Sequence, residues 1–181
     1  MDLEAYYEQI KATGQRRSYP AGADLLLEGD TAHEAFFIEK GGVRLWHNDD
    51  GRDITVQFFF EDQVVTSFES FYLERPSLFS ITTIEPTTVT IVDGRKLRQT
   101  LATNTELMAA FTNYVCQRFI DYTGYFLNRI QDSPELRYQT LLQTDPELVA
   151  RVPQHELASY LGITPVSLSR IRKRVKKDAA N

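Results

Sequence analysis

The side chains with the clearest chemical use lie near the C-terminal end of the sequence. Ser169, Arg170 and Lys173 recur at helical spacing, and they fall on a different helix face from the apolar Leu168 and Ile171. Basic groups on one exposed face can bind phosphates, and an arginine fork can also hydrogen-bond two acceptors at once. This stretch therefore predicts a surface that binds a polyanion.

Two short helices joined by a tight turn would position these groups. Residues 154–161 have their apolar side chains at helical spacing, and Gly162 ends this helix because glycine accepts the left-handed conformation. Thr164 and Pro165 suit the cap and the first residue of the second helix. This is the layout of a helix-turn-helix, whose second helix enters the DNA major groove. The alternative is an ordinary helical hairpin with a solvated basic face.

The distribution of charge favours the nucleic-acid interpretation. Residues 151–181 contain seven Lys or Arg against two acidic residues, a net charge of +5. Because the whole chain has a formal net charge of −5, residues 1–150 carry −10. A solvated helix face does not need such polarisation, whereas a surface that binds DNA phosphates does.

No combination of residues in the sequence indicates an enzyme or a metal site. Cys116 is the only cysteine, which excludes an internal disulfide and a cysteine-based metal cluster. The histidines His33, His47 and His155 lack metal-ligand spacing, and no nucleophile is paired with a base. Cys116 lies among apolar helical residues, so we expect it to be a small buried side chain. We predict no catalytic and no metal-binding residues.

The composition is that of an ordinary globular protein of 181 residues, with 42% hydrophobic and 25% charged residues. No run of eighteen apolar residues occurs, so we expect no membrane partner. Residues 2–12 predict a short amphipathic helix that is acidic and lacks the order of a signal peptide. We therefore expect a cytoplasmic protein.

Residues 17–93 alternate short β-branched or aromatic runs with turn signals, the pattern of an antiparallel β roll. Asp50-Gly51 is a strong hairpin signal between two of these runs. The segment 63–77 lacks this alternation and predicts a short helix at about 67–73. Such an insertion on a rigid scaffold can line a pocket.

After Gly94 the hydrophobic period becomes helical, and it predicts a long helix from about Thr105 to Ile130. Two apolar stripes on this helix require two partners, which we interpret as the roll and a second copy of the helix. The alternative is a core helix of a single domain. The candidate dimer residues are Phe111, Val115, Phe119, Tyr122 and Phe126.

These elements predict an α+β chain in three parts. Residues 1–102 would form the β-roll sensor domain, 103–132 the dimerisation helix, and 133–181 the helix-turn-helix domain, with Ser133-Pro134 as the hinge. This order resembles the Crp/Fnr family of bacterial transcription regulators, in its compact Bacteroidetes-type variant. The stretches that carry the resemblance are LLLEGDTAHEAFFIEKGGVRLWHNDDGRDITVQFFFEDQ and LASYLGITPVSLSRIRK.

The resemblance implies a jelly-roll-like roll of the cyclic-nucleotide-binding type and a homodimer that binds double-stranded DNA. It leaves RNA polymerase and an unknown small-molecule effector open as further partners. An interpretation of another class also stays open. The chain could be a ligand-binding or protein-interaction module of the same domain type, whose helix-turn-helix serves only for packing.

The expected effector pocket departs from the cyclic-nucleotide-binding members of the family. There, the resemblance implies a Gly-Glu pair for the ribose and an Arg-Ser pair for the cyclic phosphate. This sequence has Thr66–Glu69 and Pro76-Ser77 instead, and Pro76 offers neither charge nor a backbone N–H. We therefore expect another effector or none, and no cofactor. The candidate pocket residues are Phe68, Glu69, Arg75, Ser77, Tyr122 and Thr123.

The predicted recognition helix departs as well, because Pro165 and Val166 replace the Arg-Glu pair that the resemblance implies. We expect a different operator, with Arg170 as the candidate for guanine and Val166 for a thymine methyl. The usual β-hairpin wing is expected to be absent or reduced to 176–181. The candidate DNA-binding residues are Gln154, His155, Thr164, Pro165, Val166, Ser167, Ser169, Arg170, Lys173 and Arg174.

Overall fold

The computed structural model describes residues 8–178, and these pack into two compact units. The first unit takes residues 8–47 and 56–118, and the second takes 48–55 and 119–178. The chain therefore crosses from one unit to the other after His47, after Thr55 and after Arg118. The division into three domains, with boundaries at residues 102 and 132, stays a prediction.

Eight strands form two four-stranded sheets, one in the order β1-β8-β3-β6 and the other in the order β2-β7-β4-β5. The pairings of β8 with β1 and β3, and of β7 with β2 and β4, are antiparallel. The strands are β1 (Gln15–Tyr19), β2 (Asp24–Leu26), β3 (Glu34–Lys40), β4 (Val43–Asp49), β5 (Arg52–Phe59), β6 (Val64–Val65), β7 (Ser80–Thr83) and β8 (Thr87–Asp93).

Strand β3 explains how the first unit builds its core. Successive side chains of a strand point to opposite faces, and here both faces are apolar. Phe36 and Ile38 join a cluster fed by both sheets, whereas Ala35 and Phe37 join a second cluster on the other face. Helices supply four further members of that second cluster, Phe71, Leu97, Leu101 and Leu107.

Seven helices follow the strands or interrupt them in the described chain. They are α1 (Phe68–Leu73), α2 (Gly94–Thr103), α3 (Thr105–Gln131), α4 (Pro134–Thr144), α5 (Pro146–Arg151), α6 (Gln154–Tyr160) and α7 (Pro165–Asp178). Side-chain oxygens of Asn104, Ser133 and Asp145 accept the free backbone N–H groups that open α3, α4 and α5. The predicted α+β order is confirmed.

The predicted hairpin at Asp50-Gly51 is present between β4 and β5. Asp50 has a φ of 51° and Gly51 a φ of 86°, the signature of the turn that suits a twisted two-residue hairpin. The Gly51 N–H also donates to the side-chain oxygen of Asn48 at 2.7 Å. The hairpin tip, residues 48–55, belongs to the second unit.

Several local predictions need correction. Cys116 is exposed, because it lies on the side of α3 that its own chain leaves uncovered. Strands β1 and β6 and helix α5 were not predicted. Residues 176–178 form the last turn of α7, which agrees with the expectation that the described residues contain no wing. The predicted N-terminal helix is described only from residue 8, where 8–11 are helical, and its earlier residues lie outside the described chain, as do residues 179–181.

Candidate nucleic-acid interface

The second unit holds a helix-turn-helix with its own apolar core. Helices α6 and α7 pack together through Leu157, Ala158 and Leu168, which are fully buried. Ile171 of α7 is also buried. Tyr138 of α4 is buried in the same unit and carries the Arg172 guanidinium 5.8 Å above its ring. The apolar spacing that predicted the two helices therefore also fixes which side of α7 faces inward.

The turn between the helices is closed by backbone hydrogen bonds. Gly162 has a φ of 71°, and its N–H donates to the Ser159 carbonyl at 2.9 Å. The next N–H, of Ile163, donates to the Ala158 carbonyl at 3.0 Å, which completes a glycine-dependent helix end. Thr164 then accepts the Ser167 N–H at 3.2 Å and opens α7. The predicted helix, turn and helix are all present.

The outward side of α7 carries the predicted reading groups. Val166 is 61% exposed, and Arg170 and Lys173 are also exposed, whereas Ser169 is half-buried. Gln154 and His155 are exposed at the start of α6, and the Gln154 amide donates to the Pro165 carbonyl at 3.2 Å. The start of α6 and the start of α7 thus form one continuous surface.

Arg174 has a partner that sequence reasoning missed. Its Nη2 and Nε atoms lie 2.7 and 3.2 Å from the two carboxylate oxygens of Glu135 on α4. Two parallel hydrogen bonds of this kind fix an arginine in orientation. Arg174 therefore ties α7 to α4, and it would have to leave Glu135 to contact a phosphate.

Two arginines hold the C-terminal end of α6, and neither was singled out from the sequence. Arg129 of α3 donates to the Tyr160 carbonyl at 2.7 Å, and Arg137 of α4 donates to the Leu161 carbonyl at 2.8 Å. Arg137 also donates to the Arg129 carbonyl at 3.0 Å and bridges the predicted hinge. Cations suit this site because the last carbonyls of a helix are unpaired and carry partial negative charge.

A half-buried aromatic pair lies beside these arginines. The rings of Tyr125 and Tyr160 are stacked with their centroids 5.7 Å apart. Burial raises the pKa of the Tyr160 hydroxyl well above its usual value, and the neighbouring Tyr125 raises it further. The α6 end is therefore seated on α3 by both an aromatic stack and a charge-assisted hydrogen bond.

Two candidate effector residues of the first unit, Glu69 and Ser77, belong to one hydrogen-bond network with Ser67. The Glu69 carboxylate accepts the Ser67 hydroxyl at 2.8 Å and the Leu78 backbone N–H at 3.1 Å. Ser77 is buried, and its hydroxyl oxygen lies 2.7 Å from that of Ser67. This set fits an anionic cyclic phosphate poorly, because a carboxylate of the chain already takes a backbone donor there.

The remaining pocket candidates of the first unit, Phe68 and Arg75, lie at its surface. Phe68 and Tyr72 stack on each other at the surface of α1, with Tyr72 71% exposed, and Arg75 is exposed. Tyr122 and Thr123 belong to the second unit, and the Thr123 hydroxyl donates back to the carbonyl of Phe119 in the same helix.

Helix α3 presents an apolar stripe in the second unit. Phe119 is 74% exposed and Phe126 65% exposed, and Ile130 follows about one turn after Phe126 on the same side by helical spacing. Tyr122 is also exposed, and Val115 is half-buried. Phe111, in contrast, packs against the core cluster of the first unit that contains Phe37 and Phe71. The five predicted dimer residues therefore do not share one exposed face.

Comparisons with known proteins identify this architecture. Residues 16–104 match the cyclic nucleotide-binding domain family. The whole chain has the Crp/Fnr fold. This confirms the predicted resemblance and fold class, while the Bacteroidetes-type variant stays a prediction. A search of curated proteins finds no match.

Several solved structures are similar to this chain over nearly its whole length. The c-di-GMP responsive global regulator CLP of Xanthomonas campestris is 20% identical with a TM-score of 0.76, and the match covers 97% of this chain and 93% of that chain. FixK2 of Bradyrhizobium japonicum is 17% identical with a TM-score of 0.79, covering 92% and 86%. The catabolite activator protein of Thermus thermophilus is 18% identical with a TM-score of 0.57, covering 97% and 84%.

Two further properties of the described residues bear on function. No helix within residues 8–178 is both long and apolar enough to cross a membrane. Over the same residues, no group of three or more His, Cys, Asp or Glu side chains is placed to hold a metal ion.

Proposed function

We propose that this protein is a homodimeric, sequence-specific DNA-binding transcription regulator that works in the cytoplasm and has no enzymatic activity. The observation that carries the proposal is the outward side of α7, where Val166, Arg170 and Lys173 stand exposed on a helix whose inner side is buried. The net charge of +5 over residues 151–181 supplies the attraction to phosphates. Several solved structures similar to this chain are regulators, which supports the same function.

The exposed groups differ in what they can read. Arg170 has the fork that matches the two acceptors of guanine in the major groove, and Val166 can contact a thymine methyl. Lys173, Gln154 and His155 can position the duplex through its phosphates, which carry no sequence information. We propose that Arg170 and Val166 specify the operator, and that Arg174 contributes mainly by holding α7 on α4.

The apolar stripe of α3 supports the dimer. Phe119, Phe126 and Ile130 are each about two-thirds exposed or more, at 74%, 65% and 67%. A second copy of the same helix would cover this stripe with the same stripe, as a two-fold interface requires. Recognition helices of this motif act in pairs on half-sites about one helical turn apart, so the seam and the reading face serve one function.

We propose further that the roll does not bind a cyclic nucleotide. Support comes from Glu69, whose carboxylate accepts the Ser67 hydroxyl and the Leu78 N–H, since an incoming phosphate would meet a like charge there. A different small-molecule effector could act through the roll, and a regulator of this kind could also bind RNA polymerase. The proposed dimer and reading face do not depend on either.

Selection of bound duplexes from random sequence tests the function. We expect an inverted repeat whose half-site centres lie about 10 base pairs, or a multiple of that, apart. A protein without DNA-binding function would enrich no sequence and would bind all duplexes equally weakly at moderate salt. That result would instead favour a ligand-binding or protein-interaction module.

A further inference from the structure

The hydroxyl of Ser159 joins helix α6 to the tip of the β4–β5 hairpin. It accepts the Thr55 backbone N–H at 2.9 Å and donates to the Asp53 backbone carbonyl at 2.6 Å. Thr55 is buried and Ser159 is half-buried, so the contact is largely shielded from water. All three residues belong to the second unit.

This contact satisfies the open edge of a sheet. Strand β5 is the last strand in the order β2-β7-β4-β5. The N–H and carbonyl groups along such an edge need partners from outside the sheet. One hydroxyl serves two of them, because residues 53 and 55 of a strand direct their backbone groups to the same side. Ser159 thus stands where a neighbouring strand would pair.

The same helix is held from two other directions. Arg129 of α3 donates to the Tyr160 carbonyl at 2.7 Å, and Arg137 of α4 donates to the Leu161 carbonyl at 2.8 Å. Helix α6 is therefore fixed by the hairpin, by α3 and by α4 within three successive residues. Because the fully buried Leu157 and Leu168 lock α6 to α7, this fixation also sets the direction of α7.

We propose that Ser159 is a positioning residue for DNA binding, which sets the separation of the two recognition helices in the dimer. The proposal rests on the proposed function. An inverted repeat requires the two copies of α7 in the dimer to lie at one fixed separation. If α7 is loosely held, ordering it on the second half-site costs binding free energy. A single half-site makes no such demand. Ser159 should therefore matter for the repeat and not for the half-site.

The location of the contact suggests how an effect on the roll would reach α7. The chain passes from the second unit to the first directly after Thr55, whose N–H donates to Ser159. A shift of β5 along its own axis would therefore pull on α6 through one hydroxyl. Ser159 is in this respect a link between strand β5 and the reading surface.

The test compares wild type and Ser159→Ala on two duplexes, the selected inverted repeat and a single half-site, by fluorescence anisotropy. We expect the variant to bind the repeat about tenfold more weakly, as the loss of about one net hydrogen bond would produce, and the half-site equally well. It should also tolerate repeats with one base pair added between the half-sites better than wild type does. Ser159→Thr keeps the hydroxyl and should retain the wild-type preference.

Thr144→Ala is the matched control, because the Thr144 hydroxyl donates to the Thr140 carbonyl of its own helix at 3.0 Å. Hydrogen exchange provides a second readout, since the Thr55 amide should exchange faster in Ser159→Ala than in the control. Equal weakening on both duplexes, or no weakening on either, overturns the positioning role and leaves DNA binding intact. Wild-type protein that prefers no duplex overturns the proposed function and the positioning role together.

Discussion

The exposed stripe of α3 gives a quantitative prediction for the dimer. Burial of a phenylalanine side chain is worth roughly 1.5–3 kcal/mol. Since 74% of Phe119 is exposed in the single chain, Phe119→Ala should cost about 1–2 kcal/mol per chain. A two-fold interface contains the residue twice, so the cost per dimer is about 2–4 kcal/mol. The dimer Kd should rise by about 30- to 1000-fold.

Sedimentation equilibrium over a dilution series measures this change directly. Phe119→Glu should be monomeric at every accessible concentration, because two unpaired carboxylates would face each other in an apolar seam. Asn128→Ala is the control, since Asn128 is exposed on the opposite side of the same helix by helical spacing. If Phe119→Ala and the control dimerise equally well, the seam does not lie on this stripe.

Three other predictions concern the reading face, the roll and the α6 seat. Arg170→Ala should relax base preference at one position per half-site at a cost of about 1–3 kcal/mol, whereas Lys173→Ala should weaken all duplexes alike and lower the salt dependence; equal behaviour in binding assays would contradict these roles. Calorimetric titration with cyclic AMP or cyclic GMP should give no binding, and micromolar affinity for either would contradict the inference from Glu69. Above about pH 10 the unfolded chain releases the Tyr160 proton while the folded chain keeps it, so stability should fall by about 1.4 kcal/mol per pH unit, and urea unfolding of Tyr160→Phe should lose this component of the fall.

Much of the fold could be predicted because its signals are local. The turn at Gly162, the cap at Thr164 and the hairpin at Asp50-Gly51 each depend on a few adjacent residues whose conformational preferences are strong. Strand β1 was missed because QRRSY is polar and exposed, so it lacks the alternation that indicates a half-buried strand. Its register is set by β8, which lies about seventy residues away.

The candidate site was predictable in its outward groups but not in its supports. Val166, Arg170 and Lys173 follow from the helical period once Leu168 and Ile171 are assigned to the core. The bonds of Arg129, Arg137 and Ser159 to backbone atoms leave no pattern in the sequence, because a carbonyl or N–H has no residue identity. The exposure of Cys116 was mispredicted for a related reason: a helix with two apolar stripes does not reveal which one its own chain covers.

The link between Ser159 and Asp53 joins residues 106 positions apart, and this has a consequence for synthesis of the chain. At about 5–20 residues per second, the ribosome adds Ser159 roughly 5–20 s after Asp53. During this time the backbone groups of residues 53 and 55 lack their partner Ser159, although all strands of the roll have already been synthesised. The helix-turn-helix is made after the roll, and a nascent chain that stalls before Ser159 would expose an edge able to pair with other strands.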